Sequence, residues 1–515
     1  MTTWTQGYVD GLDYTFDFYR ELTPALLGFA ALCRGQKFVL EGRPLKYCEL
    51  GCGQGFSTNL LAAANPDIEF YANDFNPAHI AGAQSLAGEA ALANVRFYEH
   101  AFADFADEPS LPDGFDIIAL HGVFSWISAK NRGQIMDFIL RKLKPGGLVF
   151  ISYNTLPGWA SALPLRRILI DRANRSSGPL QLRIEEALAF ADTLLKANTG
   201  YFKNNPSVKT HFGQMQPMSC NYLAHEYFNE DWHPMYFSDV ARELSAAKLS
   251  FLGSVDLLDT VESQLFSAEQ QALLRAEADP IQRETLKAFV TNEQFRRDLF
   301  VKGAIPHSVR SSAGGWIDAR LALSRPRDVV AAALKRRFSN QQLQEAIYEP
   351  LLNVLSGGPV TVREILSDSI VGRSLSWGQV TETLSALVGA GYLQPCLREE
   401  GQARREKSCR AFNAAVCRSA KDSETLQFLA SPVTGGGVRL DRFEQLFLLA
   451  IGDGKEQPEQ WAQYAWSVLA PQGQKLLKEG RALETEEENL AELVARANAF
   501  AGNLLPVCLS LRIVQ

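Results

Sequence analysis

Between residues 45 and 152, short apolar runs alternate with stretches whose apolar residues recur at helical spacing. Leu45-Lys46-Tyr47-Cys48, Phe70-Tyr71-Ala72-Asn73, residues 95–98, residues 115–120 and Leu148-Val149-Phe150-Ile151 read as strands. Strand and helix in alternation predict a parallel α/β sheet. Residues 221–228 read as a further strand, 237–248 as a helix and 249–255 as a last strand, for seven strands in all. On this reading a first domain spans residues 1–260, with a helical insertion at about 160–211. Its first 40 residues read as helical, with Tyr14, Phe16, Phe18, Tyr19, Leu22 and Leu26 spaced to share a face.

Beyond residue 260 the pattern changes. Residues 261–330 form a charged helical region, in which 294–300 look like a helical surface with one buried stripe. Residues 331–425 give helix, short helix, helix (377–390) and then a strand, the outline of a winged-helix module with a wing at 398–410. Residues 426–515 form a terminal helical region, with helices at 441–450 and 460–500.

The chemistry concentrates where the first strand meets the first helix, in Glu49-Leu50-Gly51-Cys52-Gly53-Gln54-Gly55. Strand, glycine turn and helix present a nucleotide-like ligand at the carboxyl edge of an open sheet. Gly51 permits the tight turn, Gly53 lets backbone N–H groups reach a ligand, and Gly55 lets the helix start close to the strand. A dinucleotide fingerprint would need a third glycine where Phe56 stands, and no G-K-[ST] follows to make a P-loop. Glu49 instead places a carboxylate beside the loop, which suits a ligand carrying an ammonium, as S-adenosylmethionine does and NAD does not. Asp74, with Phe75 after it, ends the second strand where an acid accepts hydrogen bonds from ribose hydroxyls. Ala101 and Phe102 follow the third strand as an adenine wall, and His121 ends the fourth.

Composition narrows the field. A net charge of −7 argues against bulk affinity for nucleic acid. The first residues carry acids and no apolar core, so a signal peptide is not expected, and no run is long enough for a membrane span. The 8 cysteines show no C-x-x-C pair or zinc spacing, so no metal is expected. Free thiols fit a reducing cytoplasm, the expected location.

ELGCGQG, Asp74, FDIIAL at 115–120 and LKPGGLVFIS at 143–152 together resemble a class I S-adenosylmethionine-dependent methyltransferase. HGVFSWIS at 121–128, ISYNTLPGW at 151–159, YLAHEYFNEDWHPMYF at 222–237, FRRDLFVKG at 295–303 and LVGAGYLQP at 387–395 extend the likeness. They are similar to bacterial methyltransferases with a methyltransferase regulatory domain, a group that includes rickettsial lysine methyltransferases of outer-membrane proteins. The resemblance implies a Rossmann-like sheet and S-adenosyl-L-methionine as cofactor. The implied cofactor contacts are Tyr14, Tyr19, Glu49, Gly51, Gly53, Gly55, Asp74, Phe75, Ala101, Phe102 and His121. It also implies transfer to lysine side chains of a protein partner. Asn154 is expected to orient the nucleophile, Tyr153 to accept or relay a proton, and Trp159 to close the substrate channel. Phe124 and Trp126 fall beside them at the strand ends. A small-molecule N- or O-methyltransferase and a winged-helix DNA-binding regulator stand as alternatives. Nucleic acid is the less expected partner, and homodimerisation is left open.

Overall fold

The computed structural model describes residues 16–38, 40, 43–337 and 345–514. The apolar runs pair into one seven-stranded sheet. β1 (Leu45–Leu50), β2 (Ile68–Asp74), β3 (Val95–Glu99), β4 (Phe115–Leu120) and β5 (Leu143–Asn154) run parallel. β6 (Leu249–Ser254) and β7 (Phe295–Lys302) complete it in the order β3-β2-β1-β4-β5-β7-β6. β7 lies antiparallel to both β5 and β6. Every residue of β4 is buried, as a central strand covered on both faces requires. Strand order reverses between β1 and β4, so the loops that follow them diverge and open a crevice at the carboxyl edge.

The first half supplies α1 (Pro24–Cys33), α2 (Phe56–Ala64), α3 (Pro77–Glu89), α4 (Phe102–Ala106) and α5 (Ala129–Lys142). All of α2 is buried. The helix Gln402–Ser419 from the C-terminal half lies against it, with the Phe56 and Phe412 rings 6.0 Å apart and the Cys409 thiol 3.6 Å from the Ala63 carbonyl. After β5 come α6 (Leu163–Ala173), α7 (Leu180–Lys196), α8 (Gly200–Asn204), α9 (Pro206–Met215) and α10 (Cys220–Tyr227), then α11 (Phe237–Ser245). The helices α6 to α10 share a hydrophobic core of their own, built around Leu169, Ile184, Phe212 and Leu223.

Several expectations need correction. Residues 221–228 are helical, not a strand. Ser219 caps α10 by accepting from the Tyr222 N–H at 3.3 Å, and Leu223, Ala224 and Tyr227 bury one face on the insertion's core. The insertion therefore runs on past residue 211. The real seventh strand is β7, whose residues were expected to be helical. It was disguised because its charges point inward: Arg296 is 4% exposed and Asp298 0%. A boundary at residue 260 cuts this sheet, since three helices between Glu262 and Thr291 intervene before β7.

The wing is also absent from its expected place, because residues 402–419 form a helix. The strand Leu393–Cys396 pairs not with a wing but with the upstream strand Arg320–Leu323, in a three-stranded sheet that includes Val360–Thr361. The helix Trp377–Gly389 is buried over much of its length and carries no Lys or Arg, which removes the surface a DNA-reading helix needs. Residues 460–500 are broken by a hairpin, Leu477–Lys478 paired with Arg481–Ala482. Glu479 and Gly480 both take positive φ in its two-residue turn.

The charges that β7 buries form a network. Arg296 Nε and Nη2 donate to the two Asp298 carboxylate oxygens at 2.8 and 3.0 Å. The Tyr153 hydroxyl donates to the same carboxylate at 2.6 Å, which ties β5 to β7. Arg296 also meets Glu284 at 3.2 Å and Glu293 at 3.0 Å. Removing one partner of a buried pair leaves an uncompensated charge. Arg296→Ala should therefore lower stability by about 3–5 kcal/mol. Tyr153→Phe, which loses one hydrogen bond to a charged group, should cost about 2 kcal/mol. Urea titration followed by circular dichroism reads both, and an unmoved midpoint for Arg296→Ala would show that the pair is not stabilising β7.

Candidate active site

The glycine loop is shaped by close approach. Gly51 has φ +72°, and a Cβ there would stand 2.7 Å from Val123 Cγ2. Gly55 has φ +65° and caps α2; its Cβ would stand 2.5 Å from Ala83 Cβ and 2.9 Å from the Phe97 ring. A side chain at either position would combine strain with a clash. The Gly51 and Cys52 N–H groups both donate to the Asn73 carbonyl at 3.0 Å. The Gly53 N–H donates to Asp74 Oδ2 at 3.0 Å. The end of β2 thus holds the loop that follows β1.

Two carboxylates sit beneath this loop. Glu49 is 4% exposed and accepts a short hydrogen bond from the Thr58 hydroxyl. Burial pushes its carboxyl up to about 7, and Asp74 adds to the rise. Among the described residues no cation pairs with Glu49. Asp74 Oδ1 accepts from the Asn76 N–H at 2.9 Å and lies 3.2 Å from His79 Nδ1.

A crevice of about 1210 Å³, counting space open to solvent, lies over the loop. The candidates from different strand ends come together in it: Tyr19, Glu49, Gly51, Gly53, Gly55, Asp74, Phe75, Ala101, Phe102 and His121 all line it. Tyr14 lies outside the described residues. Phe16, named from sequence as part of the N-terminal face, lines the crevice, and so do Asp17, Ser57, His79, His100, Ile127 and Asn131, which were not singled out. His79 and Asn131 sit on helices that follow strand ends, so the strand–helix pattern was their available signal. Trp126, placed at the strand ends from sequence, lines the crevice, whereas Phe124 is fully buried.

His121 and Tyr19 form one wall, their rings 3.7 Å apart between centroids. His121 Nδ1 lies 3.1 Å from the Ser152 hydroxyl, which accepts from the Gly122 N–H at 2.8 Å. Burial, with help from Arg297, pushes the His121 imidazole down to about 3. The ring is therefore neutral across the physiological range and is no cation at the wall.

The three residues expected to act on the acceptor separate. Successive residues of β5 point to opposite faces of the sheet. Val149, Ile151 and Tyr153 enter one core, while Leu148 and Phe150 enter the other. Tyr153 is 1% exposed and does not line the crevice, and burial pushes its hydroxyl well above the usual range. Its hydrogen bond to Asp298 is structural, and the expected proton relay through Tyr153 is set aside. Trp159 also stands off the crevice; its indole N–H donates to the Gln294 carbonyl at 2.8 Å, and its ring meets Trp232 edge-on at 5.0 Å. It packs at the foot of the insertion and does not close a channel to the crevice.

Asn154 shares the face of Ser152 and hence of His121. It is 5% exposed, and its backbone is fixed by Ser125 Oγ at 2.7 Å and the Met235 N–H at 3.1 Å. Its carboxamide makes no hydrogen bond among the described residues. Asn154 lies beyond the residues that line the crevice.

Among the described residues no cluster of His, Cys, Asp and Glu could hold a metal ion, and the cysteines are all free thiols. No single described helix is long and apolar enough to cross a membrane.

Comparison with known proteins agrees with this geometry. Residues 42–175 match a methyltransferase domain, and residues 219–302 match a predicted methyltransferase regulatory domain. The second match includes β6 and β7, so it supplies part of the sheet itself. An uncharacterized protein of Synechocystis sp., sll1526, is 42% identical over 513 residues, spanning 99% of this chain and 100% of that one. An uncharacterized Rickettsia prowazekii protein, RP789, is 28% identical over 49% of this chain and 45% of its own. The structure of PKMT2 from Rickettsia typhi in complex with AdoHcy shares the fold, with a TM-score of 0.67 at 18% identity, covering 95% of this chain and 98% of that one. The chain belongs to the family of the Synechocystis protein, class I S-adenosylmethionine-dependent methyltransferases that carry a methyltransferase regulatory domain.

Proposed function

We propose that the protein methylates lysine side chains of a protein substrate. The observation that carries this reading is the position of the insertion. None of residues 160–227 lines the crevice, because α6 to α10 bury their apolar faces on one another. An insertion folded as a lid would enclose a small acceptor. One that stands aside leaves room for a side chain presented by a large partner. The likeness of fold to PKMT2, and the resemblance of the sequence motifs to rickettsial lysine methyltransferases, support this reading.

The donor half fits the cofactor. Glu49 is a buried carboxylate without a cationic partner among the described residues, and the ammonium of S-adenosylmethionine would supply one. Backbone at Gly51, Gly53 and Gly55 would line its amino-acid end. Asp74 would accept from the ribose hydroxyls, beside Phe75, while Ala101 and Phe102 would wall the adenine. When bound, S-adenosylmethionine supplies an electrophilic methyl on a sulfonium, to be displaced in line by the acceptor. Tyr19 and His121 would offer aromatic surface to the sulfonium, and a neutral imidazole there would avoid repelling it. An acceptor amine must arrive uncharged, and a partly desolvated approach lowers its pKa. Asn154 is the group for orienting that amine, because its unused carboxamide oxygen can accept an amine N–H on the His121 face of the sheet.

Labelled cofactor incubated with the enzyme and cell-envelope protein should place label on protein, mapped to lysine by mass spectrometry. Label confined to small molecules would remove the lysine reading. Asp74→Ala should weaken cofactor binding by about 1.5–3 kcal/mol, the range for hydrogen bonds to charged groups. Calorimetry that shows unchanged affinity would place the ribose elsewhere.

Glu49 makes a prediction in pH. Its folded carboxyl, near 7, lies above its ordinary value, so its contribution to stability is full below the carboxylate range and is lost as pH rises through about 7. An ammonium beside it favours the ionised form, so cofactor binding near pH 6 should release close to one proton. Calorimetry in buffers of different ionisation enthalpy measures this. A buffer-independent enthalpy at that pH would show that no ammonium meets Glu49, and Glu49→Gln should abolish the release.

A further inference from the structure

The segment that lines one side of the donor crevice is divided between two neighbours. Phe16, Asp17 and Tyr19 face the crevice. Phe18 and Arg20, interleaved with them, face the C-terminal half. The Phe18 ring lies 5.6 Å from the Phe428 ring, and a Cβ on Gly437 would stand 3.0 Å from it. Arg20 reaches further. Its Nη1 donates to the Val388 carbonyl at 2.8 Å and its Nη2 to the Gly389 carbonyl at 2.9 Å. These carbonyls stand at the negative dipole end of the helix Trp377–Gly389, where the Val388 carbonyl also accepts from the Gly391 N–H at 3.0 Å. A guanidinium is well suited to them, since its fork holds two carbonyls at once.

The same segment is tied on its other side. Glu21 lies 3.6 Å from Arg20 and 3.7 Å from Arg297 on β7. Arg297 covers the Phe295 ring at 4.9 Å, and Phe295 meets His121 edge-on at 6.2 Å. The His121 ring lies against that of Tyr19, tilted by 32°. The contacts thus close a circuit from Tyr19 through His121, Phe295, Arg297 and Glu21 back to Arg20, whose guanidinium is fixed by a helix more than 350 residues away in sequence.

We propose that Arg20 is a positioning residue for the methyl donor, and that by capping the helix Trp377–Gly389 it makes the C-terminal half set the affinity of the crevice for S-adenosylmethionine. This rests on the reading that the crevice holds that cofactor. Arg20 touches no part of the crevice itself. It fixes the backbone turn from which Tyr19 projects onto His121. The Tyr47 hydroxyl holds the far end of the 3₁₀ turn Arg20–Leu22 at the Leu22 carbonyl, so without the two Arg20 bonds it is the near end, from which the Tyr19 ring projects, that loosens. Once the cofactor is bound the ring is trapped, so the cost falls on binding and not on transfer.

The experiment compares full-length Arg20→Ala, Arg20→Lys and Phe428→Ala with the unmodified chain, using S-adenosylmethionine titrated by calorimetry and by initial rates. Arg20→Ala should raise Kd and KM for the cofactor by about tenfold, with kcat at saturating cofactor nearly unchanged. Arg20→Lys should recover part of the loss, because an ammonium can still cap one carbonyl. Phe428→Ala, which alters the C-terminal side alone, should move KM in the same direction by a smaller factor. A lowered melting temperature with unchanged KM in Arg20→Ala and Phe428→Ala would overturn the proposal and leave these contacts purely structural. So would an equal fall in kcat and kcat/KM. Failure of the unmodified chain to bind the cofactor would instead sink the reading of the crevice, a distinguishable result.

Discussion

The structure depends on a helix that cannot face water. α2 follows the glycine loop, and its sequence, Phe-Ser-Thr-Asn-Leu-Leu-Ala-Ala-Ala, is buried at every position. A helix buried all round needs cover on all sides. Exposing Leu60 or Leu61 alone would forfeit about 1.5–3 kcal/mol each. The sheet covers one side of α2, and the C-terminal half covers the other through Phe412 and Cys409. The Asn65 amide, just past the helix, bonds the Gly435 carbonyl at 2.7 Å. One hydrophobic core accordingly runs from Phe18 to Ile513. The appended half is not a separate module on a tether; it is the far wall of the helix that carries the donor loop.

That constraint explains which parts of the fold could be read from sequence. β1 to β5 were legible because their apolar runs are bounded by turns, and β1, β2 and β4 are buried on both faces. β7 was not, because a strand that carries Arg296 and Asp298 into the interior has no apolar alternation to detect. Its charges are satisfied by Tyr153, Glu284 and Glu293, which come from segments 3 to 145 residues away from their partners. α10 was misread for the opposite reason. Its aromatic residues suit a strand, but Ser219 caps a helix and the insertion's core rewards helical spacing. The expected wing failed similarly: Arg405, Cys409, Phe412 and Val416 are buried at helical intervals, and the Arg405 guanidinium is spent on the Pro432 carbonyl at 2.8 Å.

The two halves of the site differed in the same way. The lining of the crevice was legible because its groups lie at consecutive strand ends, and the order of an open sheet brings strand ends together without further information. Asn154 meets Phe295 only because β7 pairs with β5, and its carbonyl accepts from the Met235 N–H of a distant loop. A reading that placed β7 in a helix could not see that neighbourhood. It therefore grouped Tyr153, Asn154 and Trp159 by proximity in sequence, although the pleat sends Tyr153 to the opposite face from Asn154.

The region that matches a regulatory domain takes on a physical meaning from this arrangement. It contains β6 and β7, so it cannot leave the sheet without exposing the core of the catalytic domain. What it contributes to the crevice is indirect: Phe295 stands against His121, and Arg297 stands between Phe295 and Glu21. Small shifts in this region can therefore reach the crevice through the His121 and Tyr19 wall and through Trp232, whose ring lies 5.7 Å from that of Trp126. A close-packed interior transmits such shifts without large rearrangement. The His121 and Tyr19 wall lines the crevice itself, so a small displacement there alters the fit of the donor site.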